Sequence, residues 1–365
     1  MEADQDREGL ITFRWCGVIT AVHSVRQEQG APMGDCMRII SLSRRALVTL
    51  AAATVVTTLL APAASAAADC AVEYLPVQDG MSWSNLRITG VDGQGNVSGF
   101  YSPGRTDHTL VRWTAAGLEV VPRPSGVKEF VTTAGNASGV VVAMADREDG
   151  TRVPMTHTPG VGYRELPVPA GYAVWGSYDI NDRGDVVGQV TPVGSPEWGV
   201  VLWRADGSAP QVVQPAEAPL PRPIALGEDG TMLLDSYSGA FLWRDGVLTK
   251  LPDVGHSAGP RALTRDGVIF SSPYGSPRSS WKCTEATGTV EQFSVDGVVE
   301  SVNQDGLAAG YLDDGDYTPA VWQGTKFVGA LPLPADAYSG AADVVGEGGV
   351  VAGSAGTKVA RWTCR

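Results

Sequence analysis

Short apolar segments separated by glycine-containing turns recur along most of the chain. In one clear unit, a turn at Asn181–Gly184 is followed by the small, β-branched segment Val186–Gly188 and then by the apolar run Gly199–Trp203. A turn of the form Asn/Asp-x-x-Gly joins neighbouring strands, because glycine readily adopts the positive φ that a tight hairpin requires. The pattern predicts consecutive short β-strands, and no stretch carries a sustained heptad or a long apolar helical face.

The unit recurs seven times, and each copy leads to a large landmark side chain. The landmarks are Trp113, His157, Trp203, Trp243, Trp281, Trp322 and Trp362. Successive landmarks are roughly 38 to 46 residues apart, which is the length of a four-stranded propeller blade. We therefore predict an all-β fold for residues 69–365, a seven-bladed β-propeller of four-stranded antiparallel blades.

The two ends of this region predict how the ring closes. The fourth strand of a unit ends in an apolar residue followed by proline, as in Val121–Pro122, Leu166–Pro167, Leu251–Pro252 and Leu331–Pro332. The last unit stops after its third strand, at Trp362–Arg365, whereas Asp69–Pro76 has the pattern of an isolated fourth strand. We expect the N-terminal strand to complete the last blade and close the ring.

The cysteines fit this closure. Residues 69–365 contain three cysteines. Cys70 and Cys364 would flank one hairpin, which places them well for a disulfide, and Cys283 would be the remaining thiol of this region. The alternative is that Cys70 and Cys364 are unpaired.

The repeat resembles a known class of sequences. The pattern Ile180-Asn181-x-x-Gly184-x-Val186-Val187-Gly188, followed by Leu202-Trp203, is similar to the HAF-type extracellular repeats of bacterial secreted proteins. The resemblance covers nearly all of residues 69–365, although units two, four and five are degenerate. It implies propeller architecture and export, and it implies no particular activity.

The segment before residue 69 predicts export. From Met37, the basic residues Arg38, Arg44 and Arg45 precede an apolar run to about Ala61 and a small-residue cleavage pattern, as in a secretory signal peptide over residues 37–68. A transmembrane helix is the alternative, but the run is short and rich in alanine and threonine. Ser43–Arg45 also resembles the start of a twin-arginine signal. Residues 1–36 fit no such pattern, and we interpret them as an extension before the true start at Met37.

Composition limits the partners. The chain has 45 glycines, 24 prolines and a net charge of −13. Residues 1–68 contain equal numbers of acidic and basic side chains, so the negative charge belongs to the predicted propeller. A protein of this charge is repelled by nucleic acid and anionic lipid, and we expect a secreted monomer that binds neither.

Several catalytic and metal-binding signatures are missing from the sequence. There is no P-loop, H-E-x-x-H or C-x-x-C motif, and we expect no cofactor and no metal. Asp313–Asp316 has some similarity to a calcium-binding loop, but it lacks the full ligand spacing, and a solvated acidic turn explains it better.

Aromatic residues outside the landmarks give the candidate site. Trp83, Trp175 and Trp198 fall in segments that should emerge on one face of a propeller, around the central channel. Tyrosines and polar residues predicted for the same face include Tyr101, Tyr172, Tyr237, Tyr274, Tyr317 and Tyr338, with Asp107, His108, Asp146 and Asp316. Exposed aromatics mixed with carboxylates suit sugar rings or peptide segments. The alternative is that these aromatics only pack loops against the ring.

Two functions follow from this composition. The first is a non-catalytic binding or scaffold protein that recognises an extracellular polysaccharide or a secreted protein through the aromatic face. The second is a polysaccharide-active hydrolase or lyase that uses carboxylates such as Asp107, Asp146 and Asp316 at the channel mouth. Two carboxyl groups about 5–10 Å apart beside an aromatic cleft would favour the enzyme.

Overall fold

The computed structural model describes residues 69–104, 107–215, 218–252, 258–273 and 279–364. These residues form seven four-stranded antiparallel sheets, which are the blades of a β-propeller. The predicted fold is confirmed. The segments interpreted as an N-terminal extension (1–36) and a signal peptide (37–68) lie outside the described residues.

The first four blades follow the chain in order. Blade 1 consists of β2 (Leu86–Val91), β3 (Val97–Tyr101), β4 (Thr109–Thr114) and β5 (Gly117–Val120). Blade 2 consists of β6 (Val127–Gly135), β7 (Val141–Arg147), β8 (Arg152–Thr158) and β9 (Gly162–Glu165). Blade 3 consists of β10 (Tyr172–Ile180), β11 (Val186–Pro192), β12 (Gly199–Trp203) and β13 (Gln211–Val213). Blade 4 consists of β14 (Arg222–Leu226), β15 (Met232–Ser236), β16 (Gly239–Arg244) and β17 (Val247–Lys250).

The remaining three blades complete the ring. Blade 5 consists of β18 (Ala258–Leu263), β19 (Val268–Pro273), β20 (Trp281–Thr284) and β21 (Thr289–Gln292). Blade 6 consists of β22 (Gly297–Val302), β23 (Leu307–Leu312), β24 (Pro319–Gln323) and β25 (Lys326–Ala330). Blade 7 consists of β26 (Gly340–Val345), β27 (Val350–Ala355), β28 (Lys358–Cys364) and β1 (Cys70–Tyr74). A single 3₁₀ turn, Trp83–Asn85, precedes β2.

Ring closure occurs in blade 7, as predicted. β1 pairs with β28 in antiparallel register, from Cys70 opposite Cys364 to Tyr74 opposite Ala360. Cys70 and Cys364 form a disulfide, so that prediction is also confirmed. At the other end of the ladder, the Tyr74 hydroxyl donates a hydrogen bond to Asp336, and Lys358 Nζ contacts the same carboxylate at 2.8 Å. The closing strand is therefore held at both ends.

The apolar core lies between neighbouring blades, because the side chains of a strand alternate between its two faces. In β11, Val186 packs with Val142 of blade 2, whereas the adjacent Val187 packs with Leu234 of blade 4. Each of the seven blade junctions contains one such buried cluster. Every blade therefore depends on both of its neighbours for burial, and the ring must be complete for the core to be dry.

The turn asparagines also join blades. Asn181 Oδ1 accepts the N–H of Asp185 and closes its own turn, in which Gly184 has a φ of 87°. The Asn181 side-chain amide also donates to the carbonyl of Gly227 in the next blade, at 3.1 Å. Asn136 and Asn303 make equivalent inter-blade bonds. One residue of the repeat thus shapes its own hairpin and positions the following one.

Three landmark tryptophans donate hydrogen bonds to the prolines that follow the fourth strands. The indole nitrogens of Trp113, Trp203 and Trp362 donate to the carbonyls of Pro76, Pro167 and Pro332, at 2.7, 2.8 and 2.7 Å respectively. In each pair the proline ends the preceding blade. Two features that are separated in the sequence therefore form one inter-blade contact.

Blade 5 differs from the predicted landmark. Its second and third strands pair with Ile269 opposite Cys283, the position that corresponds to Val186 opposite Trp203 in blade 3. The landmark position therefore belongs to Cys283, which is buried, and the assignment of Trp281 is wrong by two residues. The alternation of side chains explains the error, because residues 281 and 283 share one face of the strand. In blade 2, His157 does take the landmark position, and burial lowers the pKa of its imidazole.

Replacing Cys70 and Cys364 together by serine should lower the free energy of unfolding by about 3–5 kcal/mol, because the crosslink restricts a long unfolded loop. Urea denaturation measures the effect. A reductant should bring the native protein to the stability of the double variant and leave that variant unchanged. Equal stability of the two proteins under oxidising conditions would contradict the role of the disulfide.

Trp203→Phe should cost about 0.5–1.5 kcal/mol more unfolding free energy than Trp322→Phe, because it removes the hydrogen bond that the indole donates to the Pro167 carbonyl. Trp322 is a matched control, since it is also a buried landmark, but its indole nitrogen has no hydrogen-bond partner among the described residues. Denaturant titrations of both variants provide the comparison. Equal losses would show that the indole–proline bond contributes little.

Candidate functional site

Strand direction separates the two faces of the propeller. The connections between blades and those between second and third strands emerge on one face, which we call the loop face. The hairpins between first and second strands, with their Asn/Asp-x-x-Gly turns, emerge on the opposite face. The described aromatic residues of the predicted site all lie in or beside loop-face segments.

Trp175 and Trp198 form an aromatic pair on this face, in which Trp175 is exposed and Trp198 is half-buried. Trp175 occupies a β-bulge of β10, between the paired residues Val174 and Gly176. A bulge redirects the side chain of the extra residue, and Trp175 is 51% exposed. Trp198, in the loop before β12, lies against it with ring centroids 5.1 Å apart and a tilt of 35°.

A cleft of about 300 Å³ lies beside this pair, between blades 2 and 3. Trp175 forms part of its wall. The polar residues that line it are Glu129, Thr133, Asp146, Arg152, Ser177 and Tyr178. The cleft therefore combines one large aromatic surface with carboxylate, guanidinium and hydroxyl groups.

A row of charged residues crosses blade 2 at the cleft. Glu129 is opposite Asp146, and Asp146 is opposite Arg152, on three adjacent strands. Arg152 holds Asp146 in a bidentate pair, with Nε–Oδ1 and Nη2–Oδ2 distances of 2.7 and 3.1 Å. The hydrogen bond to Asp146 is the main cause of a raised pKa for Arg152. Glu129 makes an ion-pair contact with Nδ1 of His108.

Ser177 adds a buried hydroxyl to the cleft. It is opposite Gly188, where a Cβ atom would point at the ring of Trp203. Trp203 packs with side chains of blade 2, so this side of the strand faces blade 2 and the cleft. The Ser177 hydroxyl is buried and has no hydrogen-bond partner among the described residues.

The structure brings together only part of the predicted site. Asp146 and Trp175 line the cleft, Trp198 supports Trp175, and His108 reaches the cleft through Glu129. Asp107 lies next to His108 and pairs instead with Arg123, at 2.7 Å.

The other predicted residues lie elsewhere on the loop face. Trp83 and Tyr101 pack against the cluster between blades 7 and 1. Tyr237 and Tyr338 are 88% and 83% exposed. Tyr317 contacts Tyr311, with ring centroids 5.6 Å apart. The predicted residue Tyr274 lies outside the described residues.

No aromatic or loop-face pattern in the sequence indicates Glu129, Arg152, Ser177 or Tyr178, all of which lie in strands. A signal existed for Arg152. A hairpin with the three-residue turn Glu148–Gly150 places Arg152 opposite Asp146, and a glycine at the third position is the sequence signal of such a turn. No comparable local signal identifies Glu129 or Ser177, since their positions depend on bulges in β6 and β10.

The second cavity is the central channel, which all seven blades line. Every innermost strand has a bulge at an equivalent position, which adds one extra residue to the strand. The extra residues are Thr89, Thr133, Tyr178, Ile224, Arg261, Glu300 and Asp343. One end of the channel lies beside the Asn/Asp-x-x-Gly turns, and we call it the turn-face end. The cavity there has a volume of about 200 Å³.

Among the seven bulge residues, the charged ones belong to blades 5 to 7. Arg261 and Glu300 lie 4.0 Å apart across neighbouring strands. Burial, together with the negative charge of Glu300, raises the pKa of Asp343 to about 7, and Arg87 partly opposes this shift. On blade 3, burial likewise raises the pKa of Asp179 to about 7, although its carboxylate accepts the N–H of Leu226.

The acidic residues at the turn-face end of the channel have structural roles. Asp182 accepts the backbone N–H of Ala137, and Glu228 accepts that of Asp182, both at 2.8 Å. Glu347 accepts the N–H of Gln304 at 2.9 Å. Each carboxylate therefore caps the turn of the preceding blade. We accordingly take the cleft, and not these three carboxylates, as the candidate site.

Within the described ranges, no group of three or more histidine, cysteine or acidic side chains is arranged to hold a metal ion. The same part of the chain contains no helix with the length and apolarity needed to cross a membrane.

Comparison with known proteins identifies a fold. No protein-family model matches the chain, and no curated protein matches it. An oligogalacturonate lyase from Vibrio parahaemolyticus has a similar structure, with a TM-score of 0.54 and 10% identity over 81% of this chain and 98% of that one. A virginiamycin B lyase from Staphylococcus aureus gives a TM-score of 0.50 and 14% identity, over 81% and 99% of the two chains.

A puromycin hydrolase gives a TM-score of 0.52 and 16% identity, over 77% of this chain and 52% of that one. At such identities the likeness shows the propeller fold alone. These matches give no assignment to HAF-type repeats.

The free energy of unfolding of the Asp343→Asn variant, relative to that of the native protein, should increase as pH rises. An unfolded aspartate titrates near 3.8, whereas Asp343 titrates near 7, so its contribution to stability is complete below the first value and lost as pH rises through the second. The stability difference between variant and native protein should be about 1–3 kcal/mol more favourable at about pH 8 than at about pH 5.

Urea denaturation at both pH values tests this expectation. Asp107→Asn is the matched control, because Asp107 is exposed and paired with Arg123. A difference for Asp343→Asn that does not change with pH would contradict the protonation of the buried carboxyl.

Proposed function

We propose that this protein is a secreted, non-catalytic propeller, of the HAF-type repeat class, that binds an extracellular polysaccharide in the cleft between blades 2 and 3. The observation that carries the proposal is the exposed Trp175, stacked on the half-buried Trp198, beside a polar cleft. Export rests on the signal-peptide pattern of residues 37–68. We propose no cofactor for this function.

The cleft suits the chemistry of a sugar. A sugar ring has an apolar face that packs on an aromatic ring and a rim of hydroxyls that need hydrogen-bond partners. Trp175 supplies such a surface, and its bulged position keeps the indole at the mouth of the cleft. Asp146 and Arg152 supply acceptors and donors already held in one geometry by their bidentate pair. Such preorganisation reduces the entropy lost on binding.

The charge of the protein narrows the class of partner. A net charge of −13 opposes binding to nucleic acid and to anionic membranes. A polysaccharide presents a repeating ligand to a single rigid cleft, so a monomer is sufficient for recognition. A secreted protein partner would use the same aromatic pair, and we regard it as the other possible ligand class for a non-catalytic propeller.

An extracellular hydrolase or lyase is the second candidate function. It is favoured by Glu129 and Asp146, two carboxylates that are cross-strand partners and both line the cleft. Side chains at such positions begin about 4.5–5.5 Å apart at Cβ, which is compatible with paired carboxyl chemistry. Asp146, however, is held by Arg152 through both oxygens, which suits an orienting role better than proton donation.

Trp175→Ala and Trp198→Ala should each weaken polysaccharide binding by roughly tenfold or more, because exposed aromatic anchors contribute most of the energy of such contacts. Calorimetric titration of residues 69–365 with a panel of soluble polysaccharides measures the effect. Tyr237→Ala and Tyr338→Ala are matched controls, since both tyrosines are exposed on the same face and lie outside the cleft.

The proposal fails if no polysaccharide binds, or if the control variants lose as much affinity as the tryptophan variants. The enzyme is tested in the same mixtures by the release of reducing ends or unsaturated sugars. Turnover that disappears in Asp146→Asn or Glu129→Gln would replace the binding function with the catalytic one.

A further inference from the structure

The side chains that line the cleft between blades 2 and 3 include two carboxylates and one guanidinium. Arg152 uses both Nε and Nη2 on Asp146, so these two side chains form a neutral pair. Glu129 has only 13% of its side chain exposed, and its ion pair is with His108. An imidazole carries positive charge only when protonated. The charge of Glu129 also acts on Arg152, so two carboxylates share one guanidinium, and the cleft carries an excess negative charge whenever His108 is neutral.

Such a carboxylate favours a cationic ligand. A buried charge is costly unless a counter-charge and hydrogen bonds accompany it. An ammonium group is a compact cation with three donors, and it would meet both needs at Glu129. The indole of Trp175 lies on the same cleft, and a cation near an indole face is attracted further.

Ser177 indicates that the ligand also carries hydroxyl groups. Its hydroxyl is buried, faces the cleft and has no partner among the described residues. A buried hydroxyl without a hydrogen bond is unfavourable. A ligand hydroxyl would serve Ser177 either as donor or as acceptor, whereas an ammonium group could only donate to it.

The charge of the whole chain acts in the same direction. The net charge is −13, and residues 1–68 contribute none of it. The resulting field attracts polycations and repels polymers of uronic acids or sulfated sugars. One ligand class is therefore favoured by the Trp175 indole, the Ser177 hydroxyl, the Glu129 carboxylate and the negative charge of the chain.

We infer that the cleft selects glycans built from amino sugars with free, protonated amines. The inference rests on the proposed polysaccharide-binding function and specifies its ligand class. The sugar ring packs on Trp175, its ammonium group pairs with Glu129, and a ring hydroxyl bonds to Ser177.

The test compares oligomers that differ only at nitrogen. Calorimetric titrations of residues 69–365 use oligomers of glucosamine, the same oligomers after N-acetylation, and oligomers of galacturonic acid. The free-amine oligomers should bind about tenfold or more tightly than the acetylated ones, because acetylation removes the charge from a charge-assisted hydrogen bond. Added salt should weaken only the binding of the free-amine form.

Glu129→Gln is the informative variant. It should reduce affinity for the free-amine oligomers by about tenfold and leave affinity for the acetylated ones nearly unchanged. Ser177→Ala should weaken both oligomers to a similar extent. Asp107→Asn is the matched control, because it removes a negative charge from the same face at a residue outside the cleft. Thermal unfolding of each variant shows whether it remains folded.

The possible outcomes separate the two proposals. Equal binding of free-amine and acetylated oligomers, unaffected by Glu129→Gln, would overturn the amino-sugar inference and leave the polysaccharide-binding function intact. Tighter binding of galacturonate oligomers than of either glucosamine form would show that the cleft does not favour a cationic ligand. Tighter binding of oligolysine than of any sugar would show that the cleft recognises basic protein segments. No binding of any oligomer or polysaccharide would defeat the proposed function itself.

Discussion

The antiparallel pairing of β1 with β28 is the contact on which the rest of the structure depends. It joins the first and last described strands of the chain into one blade and converts an open row of sheets into a ring. Because the apolar clusters lie between blades, an open ring would expose the clusters on either side of blade 7. The disulfide and the Tyr74–Asp336–Lys358 contacts secure opposite ends of this ladder. Closure also removes two sheet edges that would otherwise be open to aggregation.

Around the ring, the same few residue types are used to connect each blade to the next. Turn asparagines donate to carbonyls of the following blade, and landmark indoles donate to the proline that ends the preceding one. The two bonds lie at different points of the blade junction, so together they fix its position and orientation. Acidic turn residues such as Glu228 add a third connection. The carboxylates of Asp182, Glu228 and Glu347 are therefore accounted for by the turns that they cap.

The candidate site arises where this regular scheme is locally interrupted. Besides the bulge that every innermost strand has, β10 contains a second one at Trp175 and β6 a second one between Val127 and Glu129. The extra residues turn the indole of Trp175 outward, and between these strands the blades leave a cleft instead of a closed apolar contact. The scaffold supplies rigidity, and the bulges supply the direction of the side chains. Binding chemistry can thus be placed on one blade junction without altering the closure of the ring.

The sequence by itself determined the number of blades, the four-stranded unit, the closing strand and the disulfide, because each follows from short-range periodicity or from matching chain ends. It also indicated Trp175, Trp198 and Asp146 as loop-face residues. It could not reveal that Cys283 replaces Trp281 at the landmark of blade 5, since both residues share one strand face. Nor could it place Glu129 and Ser177 beside those aromatics. These positions depend on bulges and on contacts between different blades, which only the packed tertiary structure decides.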